Sequence, residues 1–192
     1  MPEDENADAL VRRNFAFIDL CGFTSLTDEH GVGEAVAALS TFRAVVRERA
    51  GWRGVRVAKW LGDGAMLVAT EPRPLLDAVL RMEQALDGRG CPLPLRGGVA
   101  AGRVILFEGD DYIGRPVNMA ARLCEAAGPG EMLCYGLDED IPEWIDRSGT
   151  VTVRAMGIGD IAGVAQLRVD DDAWAIHPVA THHPSVMSGT AE

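Results

Sequence analysis

The sequence predicts an α+β fold with a split βαβ core, in the order β-α-β-β-α-β. Three observations predict it. Residues 14–20 are apolar and aromatic, close on Asp19-Leu20, and pass through a glycine turn into a helical apolar spacing. Residues 55–61 and 65–69 flank Gly62-Asp63-Gly64, the pattern of a β-hairpin. A helix opened by Pro72 then leads through a glycine-rich turn to another strand over 96–106.

Taken in order, residues 1–13 are polar and charged, which predicts a frayed lead-in or a short helix. Residues 14–20 form the first strand, and 21–24 a turn in which Thr24 or Ser25 caps a helix. Gly31 and Gly33 break the pattern before residues 34–50, where Val36, Leu39, Phe42, Val45 and Val46 recur at helical spacing. The second helix carries Leu75, Leu76, Val79, Leu80, Met82 and Leu86. Residues 109–116 read as a loop, 117–127 as a third helix stopped by Gly128-Pro129-Gly130, and 131–135 as a further strand. A short helix over 138–146 and a strand pair over 150–156 and 163–169 complete the reading. An edge segment and a disordered tail follow Asp170. The domain layout is a lead-in (1–13), one domain (14–170) and a tail (171–192).

The chain has 192 residues, enough for one core without disulfides or a structural metal. Its 29 acids against 18 bases give a net charge of -11, and no basic run is segregated, which argues against nucleic acid and anionic membranes as partners. No apolar stretch approaches ~20 residues. The acidic start lacks a signal-peptide pattern, so a soluble, cytoplasmic protein is expected. The four cysteines form no CxxC pair and read as reduced thiols. Three of the four histidines, His177, His182 and His183, lie close to the C-terminus, so carboxylates and cations must build any catalytic centre. Lys59 is the single lysine among the bases. An ammonium is a compact point donor that the wide arginine fork does not replace in a tight pocket.

Asp19 ends the first strand and Asp63 sits in the hairpin turn. In a split βαβ sheet those strands are neighbours, so both carboxylates converge beyond one edge. Paired acids at strand ends suit two divalent ions acting on a polyphosphate. Gly22 allows close backbone approach, and the amides near Phe23 and Thr24 face a helix N-terminus that favours anions. Asn118 and Arg122 are four apart, hence on one helical face, a neutral donor beside a guanidinium.

Together, Phe17-Ile18-Asp19-Leu20-Cys21-Gly22-Phe23-Thr24, Lys59-Trp60-Leu61-Gly62-Asp63-Gly64 and Asp111-Tyr112-Ile113-Gly114-Arg115-Pro116-Val117-Asn118-Met119-Ala120-Ala121-Arg122-Leu123 resemble the class III nucleotidyl cyclase catalytic domain. The resemblance runs from about Asn14 to Val169. It implies a ferredoxin-like βαββαβ core with extra C-terminal strands and helices. It implies that Asp19 and Asp63, with the Leu20 carbonyl, hold two Mg2+ or Mn2+ ions per site. It also implies that Lys59 and Asp111 read adenine, that Asn118 orients the ribose, and that Arg122 stabilises transition-state charge. The implied activity is an adenylate cyclase that makes cyclic AMP and pyrophosphate from ATP, as a homodimer with shared sites. Asp110 adjoins Asp111 and is the rival for base reading. The segment 102–110 is short beside relatives with a long dimerisation arm, and Ala100-Ala101 stand where a His-Thr pair is common. The alternative is a catalytically retired domain that senses nucleotide or binds a partner, against which the intact acids argue. A diguanylate cyclase would need a GGDEF-type hairpin, which is absent.

Overall fold

A computed structural model describes residues 10–109, 111–137, 141, 142 and 144–169. Along the chain these form β1 (Leu10–Leu20), α1 (Phe23–Arg53), β2 (Arg56–Leu61), β3 (Gly64–Ala69), α2 (Pro72–Asp87), β4 (Leu95–Phe107), β5 (Asp111–Ile113), α3 (Arg115–Ala126), β6 (Met132–Tyr135), β7 (Ile145–Ala155) and β8 (Gly159–Val169). The sheet runs β2-β3-β1-β4-β6-β8-β7, with β5 paired to β4 beside that path. β1 is antiparallel to both β3 and β4. This is the expected split βαβ core, extended by β6, β7 and β8. It sets the end of β1 beside the β2–β3 turn.

Side chains alternate across a strand, so β1 serves two cores. Ala16, Ile18 and Leu20 pack with Phe42, Val45 and Val46 of α1 and with Leu75, Leu76, Val79 and Met82 of α2. Phe15 joins Met66, Val68, Ala100 and Val104 beneath Met119, Ala120 and Leu123 of α3. Asp19 shares its parity with Phe15 and Phe17 and therefore belongs to the α3 face. Each fully buried Leu, Val or Phe contributes roughly 1.5–3 kcal/mol.

Several boundaries differ from the sequence reading. β1 begins at Leu10, not Asn14, because Leu10–Arg13 pair in register with Ile105–Gly102 of the long β4. α1 spans 31 residues from Phe23, as two helical stretches that meet at a kink. Its N-cap is Gly22 with φ 84°, without a side-chain cap, so Thr24 and Ser25 lie inside the first turn. The break at Gly31 is real, with φ 84° and ψ 172° inside the helix, whereas Gly33 is helical. The expected loop over 109–116 contains β5, whose three residues pair with Ile105–Phe107. α3 starts at Arg115, two residues early, with Pro116 in its first turn. Where a short helix was expected over 138–146, Ile145 already opens β7, drawn into the sheet by pairing with Val169. Residues 138–140 and 143 of that span lie outside the described residues, as do the lead-in 1–9 and the tail from 170.

Candidate active site

The end of β1 is where sequence and topology meet. Asp19 is paired in register with Gly64 of β3 on one side and Arg96 of β4 on the other. The register therefore delivers a guanidinium to the acid. Arg96 donates to Asp19 Oδ2 from Nε at 3.0 Å and from Nη2 at 2.6 Å. On the other side, a Cβ at Gly64 would stand 2.8 Å from the Ile18 carbonyl oxygen and 3.1 Å from Asp19 Oδ1. Glycine is needed there for the hairpin turn to close against β1. The Leu20 N–H donates to the Asp63 carbonyl at 3.3 Å and ties the turn to the strand end.

Burial pushes the Asp63 carboxyl above its ordinary range. A backbone hydrogen bond opposes that push, and the neighbouring Asp19 charge adds to it. Two carboxylates thus crowd a half-buried corner that holds one guanidinium. Hard carboxylate oxygens with a main-chain carbonyl, from Leu20, are the donor set that Mg2+ or Mn2+ prefers. Asp19 and Asp63 fit such an ion. Among the described residues no cluster of three or more His, Cys, Asp or Glu side chains competes as a metal site.

Beside the acids, α1 begins at Phe23 with no acidic residue in its first turn. The first amides of a helix have no intrahelical acceptor, so those from Phe23 onward are donors for an anion. Cys21 is half-buried and Cys124 buried, and both are free thiols. Burial pushes the Cys124 thiol up to about 12, which marks it as a packing group.

The second cluster joins residues far apart in sequence. The Lys59 Nζ donates to Asp111 Oδ1 at 2.9 Å, with the two side chains 47% and 46% exposed. The Tyr112 N–H donates to the same oxygen at 2.8 Å. Lys59, and after it that N–H, holds the Asp111 carboxyl below its ordinary value. Asp110 lies outside the described residues, and Asp111 is the acid that meets Lys59.

On α3, Asn118 is exposed, and Arg122 Nη1 donates to both carboxylate oxygens of Glu125, at 2.8 and 2.6 Å. Among the described residues, no hydrogen bond or ion pair joins Asn118 or Arg122 to the acids or to Lys59. Three cavities among the described residues are lined by other groups. The Lys59–Asp111 pair is half-exposed, and Asp19 with its Arg96 partner is partly exposed, so both lie on an open face.

Known structures carry the same architecture. A solved guanylyl cyclase, Cya2, superposes with a TM-score of 0.71 at 20% identity, covering 84% of this chain and 94% of that one. The chain folds as a class III nucleotidyl cyclase catalytic domain. No family model matches the sequence. Among curated relatives of this cyclase domain, an uncharacterized protein of Mycobacterium tuberculosis is 35% identical over 140 residues, 72% of this chain and 37% of that protein. A pH-sensitive adenylate cyclase of the same species is 36% identical over 118 residues, 62% of this chain and 29% of that protein. The cyclase domain thus spans about a third of the length of the curated relatives it matches. Among its described residues no helix is long and apolar enough to cross a membrane.

The cyclase fold brings together Asp19 with Asp63, and Lys59 with Asp111, as the sequence reading expected. It leaves Asn118 and Arg122 apart from both pairs. Arg96 was missed. Its signal was present, since an arginine opening a strand antiparallel to β1 can face the acid that ends β1, but only the register selects it.

Proposed function

We propose that this domain is an adenylate cyclase, converting ATP to 3′,5′-cyclic AMP and pyrophosphate at sites shared by two copies of the chain. The observation that carries the reading is the Lys59–Asp111 pair on an open, half-exposed surface. Lys59 supplies a donor for adenine N1. Asp111 keeps Oδ2 to accept from the N6 amine, because Lys59 and Tyr112 both occupy Oδ1. Guanine reverses that donor and acceptor pattern, so the pair favours ATP.

Asp19, Asp63 and the Leu20 carbonyl would hold two Mg2+ or Mn2+ ions, which when bound supply positive charge for the triphosphate and lower the pKa of the ribose 3′-hydroxyl. The amides at Gly22, Phe23 and Thr24 cradle phosphate oxygens at the head of α1. Arg96 keeps Asp19 aimed at the same place. The exposed Asn118 amide orients the ribose, and Arg122, once it leaves Glu125, compensates the charge that grows on the phosphate oxygens. The 3′-oxygen attacks the α-phosphorus in line, its proton passes to solvent, and the bond to pyrophosphate breaks.

Two features support a shared site. Among the described residues no hydrogen bond or ion pair joins Asn118 or Arg122 to the acids of their own chain, which accords with a partner presenting them. Phe107 and Ile113 are 48% and 54% exposed on one face of the β4–β5 hairpin, and Leu106 is 41% exposed on the other, an apolar edge suited to a second copy. ATP as substrate accords with a cytoplasmic location. The test is product analysis by chromatography after incubation with Mn2+ and either ATP or GTP. Cyclic AMP from ATP supports the reading. ATP bound but returned intact would mean a nucleotide-sensing domain instead.

A further inference from the structure

The Lys59–Asp111 contact joins two half-exposed side chains, and an exposed ion pair by itself orders little. A second set of contacts encloses it. Arg56 pairs in register with Val68, and Lys59 with Met66, with a register shift between Val57 and Lys59. In a regular strand, residues three apart point to opposite faces. The bulge at Ala58 restores them to one face, since Val68 and Met66 both belong to the core beneath α3 while the intervening Leu67 belongs to the other. From that face the Arg56 Nη2 donates to the Tyr112 hydroxyl at 3.3 Å, and its guanidinium lies 5.5 Å from the Tyr112 ring centroid. Tyr112 stands edge-on against the fully buried Phe15, with centroids 5.3 Å apart. Its backbone N–H fixes Asp111 Oδ1. The contacts close a ring: Phe15 holds Tyr112, Tyr112 holds Asp111 and Arg56, and the bulge carries Arg56 and Lys59 side by side.

We infer that Tyr112 and Arg56 are positioning residues for purine selection, fixing the Lys59–Asp111 pair through the bulged edge strand. The inference rests on the cyclase reading above, in which that pair reads the base. Neither residue needs to touch the nucleotide. Tyr112 locks the carboxylate so that Oδ2 stays free for an amine, and Arg56 locks the strand that presents the ammonium.

The test compares wild type with Tyr112→Phe, Tyr112→Ala, Arg56→Met and the Arg56→Met/Tyr112→Ala double variant. KM and kcat are measured for ATP and GTP with Mn2+, and binding of each nucleotide by equilibrium dialysis. Tyr112→Ala should raise KM for ATP about tenfold and lower the ATP:GTP ratio by a similar factor, with kcat changed less. Tyr112→Phe, which keeps the ring, and Arg56→Met should each give roughly two- to fivefold. The double variant should be no worse than Tyr112→Ala, since both residues act through one contact. An unchanged ATP:GTP ratio in turnover and binding would overturn the inference, as would a loss confined to kcat and thermal stability. If Tyr112→Ala does not fold, Tyr112→Phe and the exposed Arg56→Met carry the test. A wild type that makes no cyclic product overturns the cyclase reading alone. The dialysis ratios still decide whether Tyr112 and Arg56 set base preference.

Discussion

The two faces of the central sheet are built differently. Toward α1 and α2 the sheet presents Ile18, Leu20, Leu67 and Leu95 to Phe42, Leu75, Leu76 and Met82, all nearly inaccessible to solvent. Toward α3, β4 offers Gly98, Ala100 and Gly102, and the helix backbone comes down almost to the strand. A Cβ at Gly98 would stand 2.3 Å from both the Ala120 carbonyl oxygen and the Cys124 nitrogen. One face is thick and closed. The other is thin, and the charged residues Asp19, Arg96, Lys59 and Asp111 collect there at partial exposure. Bulk and chemistry are thus separated by a single layer of strands, and changes on either side should have distinct signatures.

The largest effect should come from the thin face. Asp19→Ala and Asp63→Ala should each lower cyclic AMP formation by at least about a hundredfold, since each removes a metal donor without opening a core cavity. Product assays beside thermal melts check this, with Tm expected within a few degrees of wild type. Retained turnover in either variant would remove the metal assignment. The shared-site proposal sharpens the contrast. When Asp19→Ala and Arg122→Ala homodimers, each nearly inactive, exchange subunits, half the dimers are mixed and each holds one intact site. About a quarter of wild-type activity should return. No recovery despite demonstrated exchange would mean that both residues act within one chain.

On the thick face the signature should invert. Phe42→Ala should cost about 3–5 kcal/mol by leaving a cavity between α1 and the sheet, while the folded fraction keeps its kcat. Denaturant titration followed by activity per folded molecule distinguishes the two losses.

The smallest effect concerns Glu83, on α2 at the edge of that face, which accepts from the Leu95 N–H at 2.7 Å. Burial raises its carboxyl above the ordinary value, against the lowering influence of that hydrogen bond. A raised folded value means the native state holds the proton more tightly than the unfolded chain. The associated stability is present below the ordinary carboxylate pKa and is lost as pH climbs through the raised one. Glu83→Gln should therefore raise Tm by about 1–2 °C at about pH 7 and leave it unchanged at about pH 4, as a pair of melts would show.

What could be read from the sequence was what local chemistry enforces. The β2–β3 hairpin follows from Gly62-Asp63-Gly64 between alternating strands, and α2 from Pro72 and its apolar spacing. Once those were placed, the strand order and the meeting of Asp19 with Asp63 followed from topology. Local rules failed where a distant partner decides. Leu10–Arg13 read as polar lead-in because only the length of β4 makes them strand. β5 has three residues, too few for a period, and exists because Ile105–Phe107 offer it an edge. Ile145 suited a helix until β8 supplied a ladder. Arg96 could be placed at the start of a strand beside β1, but its meeting with Asp19 is a matter of register. The meeting of Lys59 with Asp111 was expected from resemblance alone, for no spacing rule spans a sequence separation of 52.

The irregularity at Gly31 has a mechanical meaning. From Ala35 to Ala50, α1 buries Ala35, Ala38, Phe42, Val45, Val46 and Ala50, the last four in the core shared with α2 and the sheet. Between Phe23 and Glu34 no side chain is buried. Gly31 interrupts the hydrogen-bond ladder between these two stretches, so the helix is a fixed shaft with a jointed tip. The tip carries the amides that face the end of β1, and it can swing by releasing the partly buried Phe23 while the fully buried side chains beyond Gly31 stay packed. Motion at the head of this helix therefore draws on one loosened turn and the Phe23 contact, and the rest of the domain has no need to yield.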